Sequence, residues 1–273
     1  MTVPDEHIPH LRAYLGVRLE RASGEGVRGA LFVTSRCRTR RGHVALGAIA
    51  TVIDVTALRR ADEVHPAPLV TSHLSLRVPG SPDDGLLHAD AAVMRAGRAR
   101  VISLVRVTDQ LGRMVGLGSV SSDALTGEGT SHRRARAPED DDFYTRNTPE
   151  EGGIPIEDFL ALEPAGEMEG RQLVRMPFHE TLRNVNGVLH GGGAALLVEE
   201  AARRASATMD GWDAGVVDAI DVHFLAPGLT GPFLASVEPL SGGSSLVVAV
   251  QVADEGRGGR PIALGIVGLR RGG

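Results

Sequence analysis

Lysine is absent from the 273 residues, and all 29 basic residues are arginine. Neither a lysine Schiff base nor a P-loop lysine can therefore be built from this chain. A single cysteine, Cys37, excludes an internal disulfide framework and any multi-cysteine zinc site; it reads as a small buried hydrophobe. Aromatic residues are scarce, with one Trp, two Tyr and six Phe, too few for a surface that stacks nucleic-acid bases. A basic excess is missing too: 29 basic against 34 acidic residues gives a formal charge of −5, which argues against nucleic-acid binding. No apolar run approaches the roughly 18 residues of a membrane span, and the N-terminal stretch lacks a signal-peptide pattern. A cytoplasmic protein without membrane contact is the expectation. Dinucleotide fingerprints, Walker sequences and Gly-x-Ser-x-Gly elbows are also lacking, and His7 and His10 stand too isolated to suggest a metal.

What is present is a core and a repeat. The 42% hydrophobic content suffices for a packed interior. Residues 123–155 break the apolar patterning with Arg133, Arg134, Arg136, Pro138, the run Asp140 to Asp142 and Gly152-Gly153, and read as a charged linker. It divides the chain into units 1–122 and 156–273. Across the divide the pattern recurs. Alternating runs end at Asp109 and at Asp254, 145 positions apart, each preceded by a Gly turn at Gly97 or Gly242-Gly243. Two further strand-like runs end at Pro79-Gly80 and Pro227-Gly228, 148 positions apart. Short Gly turns between alternating runs predict antiparallel meanders.

Each unit also carries one apolar segment too long for a strand, Gly47 to Arg60 and Gly192 to Ala207. The second is Ala-rich and predicts a helix. The first, with Thr51, Val52, Ile53, Val55 and Thr56, favours a strand by propensity, but its correspondence to the second decides for helix. The fold class predicted is α+β: one long helix wrapped by about five antiparallel strands, twice over.

The segment Asn184-Val-Asn-Gly-Val-Leu-His190-Gly191-Gly192-Gly193, followed by Glu199-Glu200, is the sharpest chemical signal. It resembles the hotdog-fold acyl-CoA thioesterases of the phenylacetate-degradation type. Asn184, His190, Gly191, Gly192 and Glu199 match that family's Asn, His-Gly-Gly and acid positions. The first unit resembles the same fold more faintly, with Asp54 at the acidic position, so the whole chain looks like a tandem hotdog.

A thioester carbonyl under attack needs donors for its developing negative charge. Backbone N–H groups of Gly191 and Gly192 at a helix start would be such donors, and glycine admits a close approach. A carboxylate then activates water or attacks directly, with Asn184 positioning water or carbonyl. Glu199 lies nine residues beyond His190, about 180° around the helix and roughly 13 Å along it. It therefore serves the loop of a neighbouring hotdog, as the resemblance implies, rather than its own.

Two composite sites follow. Asp54 pairs with Asn184, His190, Gly191, Gly192 and Gly193, and Glu199 pairs with the first-unit loop. There the matching positions are Thr39, Ala45, Leu46 and Gly47, with His43 two residues from the expected place. One working site, built on Asp54, is expected, with Glu199 a relic or structural residue. Thr71 or Ser72 corresponds to the family's accessory hydroxyl. Asp218, Asp221 and His223 read as alternating surface or interface residues. The resemblance implies acyl-CoA as substrate, no cofactor and no metal; exposed sheet edges leave room for a homodimer of double-hotdog chains. The competing expectation is a non-catalytic acyl-CoA or acyl-carrier-protein binding module.

Overall fold

The computed structural model describes residues 10–21, 27–80, 82, 84–125, 153–168, 171–209, 212, 215–241 and 245–271. The first unit runs α1 (Leu11–Leu15), β1 (Val17–Arg21), β2 (Val27–Val33), α2 (Leu46–Asp62), β3 (Leu69–Arg77), β4 (Gly85–Ala96), β5 (Arg100–Thr108) and β6 (Met114–Ala124). The second repeats it: α3 (Ile156–Phe159), β7 (Glu163–Met168), β8 (Arg171–Met176), α4 (Gly191–Ser206), β9 (Val216–Phe224), β10 (Phe233–Ser241), β11 (Ser245–Asp254) and β12 (Arg260–Arg270). Each unit thus has six strands rather than about five. The extra ones, β1 and β7, lie at the sheet edges, and β7 is too exposed along its length to show alternation. Strand β6 runs to Ala124 and Leu125 N–H donates to Pro68 O, so the first unit continues into the segment expected to link the halves. Most of that segment, 126–152, lies outside the described residues.

The strands form one antiparallel sheet in the order β1-β2-β4-β5-β6-β3-β9-β12-β11-β10-β8-β7. This order is palindromic: each half has the same internal sequence of strands, and the halves meet where β3 pairs with β9. In that register Leu74 opposes Val222 and His73 opposes His223. The sheet is continuous, and a single hydrophobic cluster draws buried residues from both units.

Helix α2 forms despite its β-branched residues because its surroundings settle what propensity does not. It is buried along most of its length, packed against the sheet and against α4. Its two threonines satisfy themselves within the helix: Thr51 Oγ1 donates to Gly47 O at 2.7 Å and Thr56 Oγ1 to Val52 O at 2.6 Å. The two long helices touch through glycine. A Cβ at Gly47 would lie 2.6 Å from Leu196, and one at Gly192 would lie 2.0 Å from Thr51 Oγ1. These contacts are repeat-equivalents, and both bring the N-terminus of one helix against the middle of the other.

Candidate active site

The loops leading into α2 and α4 share one construction. A 3-10 turn, Ser35–Cys37 or Glu180–Leu182, is followed by an antiparallel bridge, Arg38 with Val44 or Arg183 with Leu189. Thr39 N–H donates to His43 O, and Asn184 N–H to Val188 O, both at 2.8 Å. The equivalence of Thr39, Ala45, Leu46 and Gly47 with Asn184, His190, Gly191 and Gly192 therefore has a structural basis.

Asp54 sits mid-way along α2, 7% exposed, beside the N-terminus of α4. A Cβ added at Gly191 would stand 3.0 Å from Asp54 Oδ2 and 3.4 Å from Phe224. Any side chain at position 191 would thus intrude between the acid and the helix start. Thr71, on β3, donates its hydroxyl to Asp54 Oδ1 at 2.6 Å. Burial pushes the Asp54 carboxyl above the ordinary carboxylate range, while the Thr71 hydrogen bond and the Arg12 guanidinium oppose that shift. Acid, hydroxyl and glycine-flanked helix N-terminus converge from three elements and both halves of the chain.

Other expected participants take different parts. His190 is the N-cap of α4, and its Nδ1 accepts the Gly192 N–H at 3.0 Å. The Gly192 N–H, expected from the sequence to be a second donor to a substrate oxygen, is thus taken up by the His190 cap. The lack of a side chain at Gly192 serves the helix contact with Thr51. The Gly191 N–H, in the first turn, has no intrahelical acceptor and is the available donor. Asn184 turns its Oδ1 onto its own loop, accepting Asn186 N–H at 2.8 Å and Val188 N–H at 3.4 Å. Through Oδ1 it shapes the loop. Ser72 is the extra residue of a bulge in β3 and donates to Ser121 O at 3.2 Å, away from Asp54. Gly193 faces Leu189 and Leu11.

The second composite site has the same parts list and a different outcome. Glu199, 5% exposed, accepts Leu46 N–H at 2.9 Å and Gly47 N–H at 2.7 Å. Its carboxylate occupies both donors of the α2 N-terminus, where Ala45 has no side chain able to cap. Burial raises the Glu199 carboxyl to about 7, against the opposing pull of the two N–H bonds. At the position equivalent to Thr71, fixed by the matching registers and bulges of β3 on β6 and of β9 on β12, stands Val217. His43 contributes its carbonyl to the loop turn.

Sequence reasoning missed a third cluster. His73 on β3 meets Asp221 and His223 on β9 across the seam. These residues are about 150 positions apart, and only the β3·β9 register brings them together.

No family model matches the chain. A Saccharolobus solfataricus protein provisionally named an esterase is 32% identical over 93 residues, which is 34% of this chain and 62% of that protein's length. Among solved structures, the acyl-CoA thioesterase II TesB2 of Mycobacterium marinum superposes with a TM-score of 0.67 at 16% identity, covering 96% of this chain and 97% of that one. The TesB protein of Mycobacterium avium subsp. paratuberculosis gives 0.65 at 13% identity, covering 93% and 96%. An Alicyclobacillus acidocaldarius protein of unknown function with a hot dog fold gives 0.57 at 13%, covering 97% and 99%. At such identities the likeness speaks to the fold, and its extent speaks to both repeats: the chain is a tandem hotdog.

Proposed function

We propose that this tandem hotdog is a thioester hydrolase acting on acyl-CoA at one composite site, the one built on Asp54. The observation that carries the reading is the approach of a buried carboxylate to a glycine at the N-terminus of a helix from the other repeat. A thioester carbonyl seated between them would direct its oxygen at the Gly191 N–H, where the helix dipole favours negative charge. Asp54 would then supply the basic oxygen, either taking a proton from an attacking water or attacking the carbonyl itself. On the water route the tetrahedral intermediate collapses to the free acid, and the proton held by Asp54 passes to the departing CoA thiolate. Thr71 holds the carboxylate in place, and His190 holds the loop by capping α4. The thioesterase names borne by the structural relatives agree with this chemistry, as does the esterase name of the sequence relative.

The test is hydrolysis of a panel of acyl-CoA thioesters by the wild type and by Asp54→Asn. Losing the basic oxygen should lower kcat/KM by about 10³-fold, within the range of acid–base contributions, with the melting temperature little changed. Full activity in the variant refutes the role of Asp54. Tight acyl-CoA binding by the wild type without turnover would instead make the protein a binding module.

A further inference from the structure

We propose that His73, Asp221 and His223 form a binding site for a divalent transition-metal ion of the zinc class, lying across the seam between the two repeats. His73 Nε2 stands 3.0 Å from Asp221 Oδ1, and His223 Nε2 stands 3.4 Å from the same oxygen. The ligand atoms of the three residues all fall within 4.8 Å of one another. A tetrahedral zinc ion with bonds of about 2.0–2.1 Å sets neighbouring ligand atoms about 3.3 Å apart, so two edges of the polyhedron are already at length. The imidazole rings lie alongside each other, centroids 4.4 Å apart and 30° from parallel, and the remaining edge, between the two imidazole nitrogens, spans no more than 4.8 Å. Two imidazoles and one carboxylate suit zinc-class ions rather than calcium or magnesium, which prefer all-oxygen shells.

The placement favours a site that can fill. Leu74, Leu76, Ile220 and Val222 point into the core, and alternation along the strands turns His73, Asp221 and His223 to the other face of the sheet. Their side chains are 25%, 23% and 49% exposed, enough for an ion to enter and for water to take the fourth position. The site is independent of Asp54, which faces the helices. Binding converts the His73–Asp221 hydrogen bond into two bonds to the metal, and the imidazole proton moves to Nδ1. Since β3 and β9 are the strands through which the two halves join, the ion ties one repeat to the other.

The experiment uses the full chain, tag-free and stripped with EDTA, titrated with zinc sulfate by calorimetry. It is repeated on His73→Gln, His223→Gln and the double variant. The wild type should bind one more zinc per chain than the double variant, with each single variant weakened roughly tenfold or more at that site. Zinc should raise the melting temperature of the wild type and leave that of the double variant unchanged. Circular dichroism of the metal-free variants checks that the sheet is intact. Equal zinc stoichiometry in wild type and double variant, or equal thermal shifts, overturns the proposal.

Discussion

The two composite sites are one design executed twice with different residues, and comparing them shows how little separates a poised acid from a captured one. Both place a carboxylate from the middle of one long helix beside the N-terminus of the other. In the second site the acid is Glu199, one methylene longer than Asp54, and it closes onto Leu46 N–H and Gly47 N–H. In the first, His190 has already taken the Gly192 N–H, Thr71 holds Asp54 Oδ1, and Gly191 carries no side chain to stand between the acid and the helix start. Ala45 and Val217 lack the ring nitrogen and the hydroxyl that His190 and Thr71 supply in the first site. A helix N-terminus left uncapped takes the nearest acceptor, and in the second site the protein supplies that acceptor itself in the Glu199 carboxyl group.

The largest effect should come from making the first site resemble the second. In Asp54→Glu the carboxylate is retained but gains the reach to accept Gly191 N–H, so the donor meant for the substrate oxygen is filled. Hydrolysis should fall by about 10²–10³-fold, the cost of losing an oxyanion donor, and steady-state kinetics on any accepted acyl-CoA would measure it. Retention of near-wild-type turnover would show that acid length does not distinguish the two sites as proposed.

Much of this was legible in the sequence, for identifiable reasons. The offsets of 145 and 148 residues recovered the repeat, and the repeat rescued α2, whose Thr, Val and Ile content argues for a strand when taken alone. The helical spacing from His190 to Glu199 pointed that acid at the opposite repeat, and it lies there against Leu46 and Gly47 N–H. The hydrogen bonds that decide the chemistry were not legible. Nothing in a one-dimensional pattern distinguishes an N–H offered to substrate from one spent on a cap, so neither the His190 cap on Gly192 N–H nor the turn of Asn184 Oδ1 onto its own loop was foreseen. The edge strand β7 lacked alternation because an edge with little core to face needs none, and β1 is only five residues long. The His73–Asp221–His223 cluster depends on a strand register between halves, which a reading confined to each repeat cannot reach.

An intermediate effect should follow from Thr71→Val, which gives the first site the residue that Val217 provides in the second. Losing a hydrogen bond to a charged group at 2.6 Å should cost roughly tenfold in kcat/KM. The pH profile sharpens the reading. Asp54 must be ionised to act, so the rate rises with pH through its pKa, which burial has lifted above the ordinary carboxylate value. The Thr71 hydroxyl favours the ionised form, and its removal should move the acidic limb to higher pH. A lower rate with an unmoved limb would make Thr71 a packing residue rather than a positioning residue for the carboxylate.

The smallest effect on activity should come from Glu199→Gln, where kcat/KM should stay within about twofold because no substrate interaction is removed. Stability carries the signal instead. The folded Glu199 carboxyl is raised from 4.5 to about 7, so the native state binds its proton more tightly than the unfolded chain does. Its contribution is therefore full below pH ~4.5 and is lost as pH climbs through about 7, a fall of up to ~3 kcal/mol at 1.36 kcal/mol per pH unit. Glutamine cannot titrate, so the stability of wild type relative to the variant should decline over that window and level off above it. Urea unfolding across the pH series reads the slope directly, separate from any fixed cost of turning an amide NH₂ toward Leu46 or Gly47 N–H. A parallel pair of curves would mean that Glu199 is ionised in both states, and the second site would then differ from the first by capture alone and not by proton affinity.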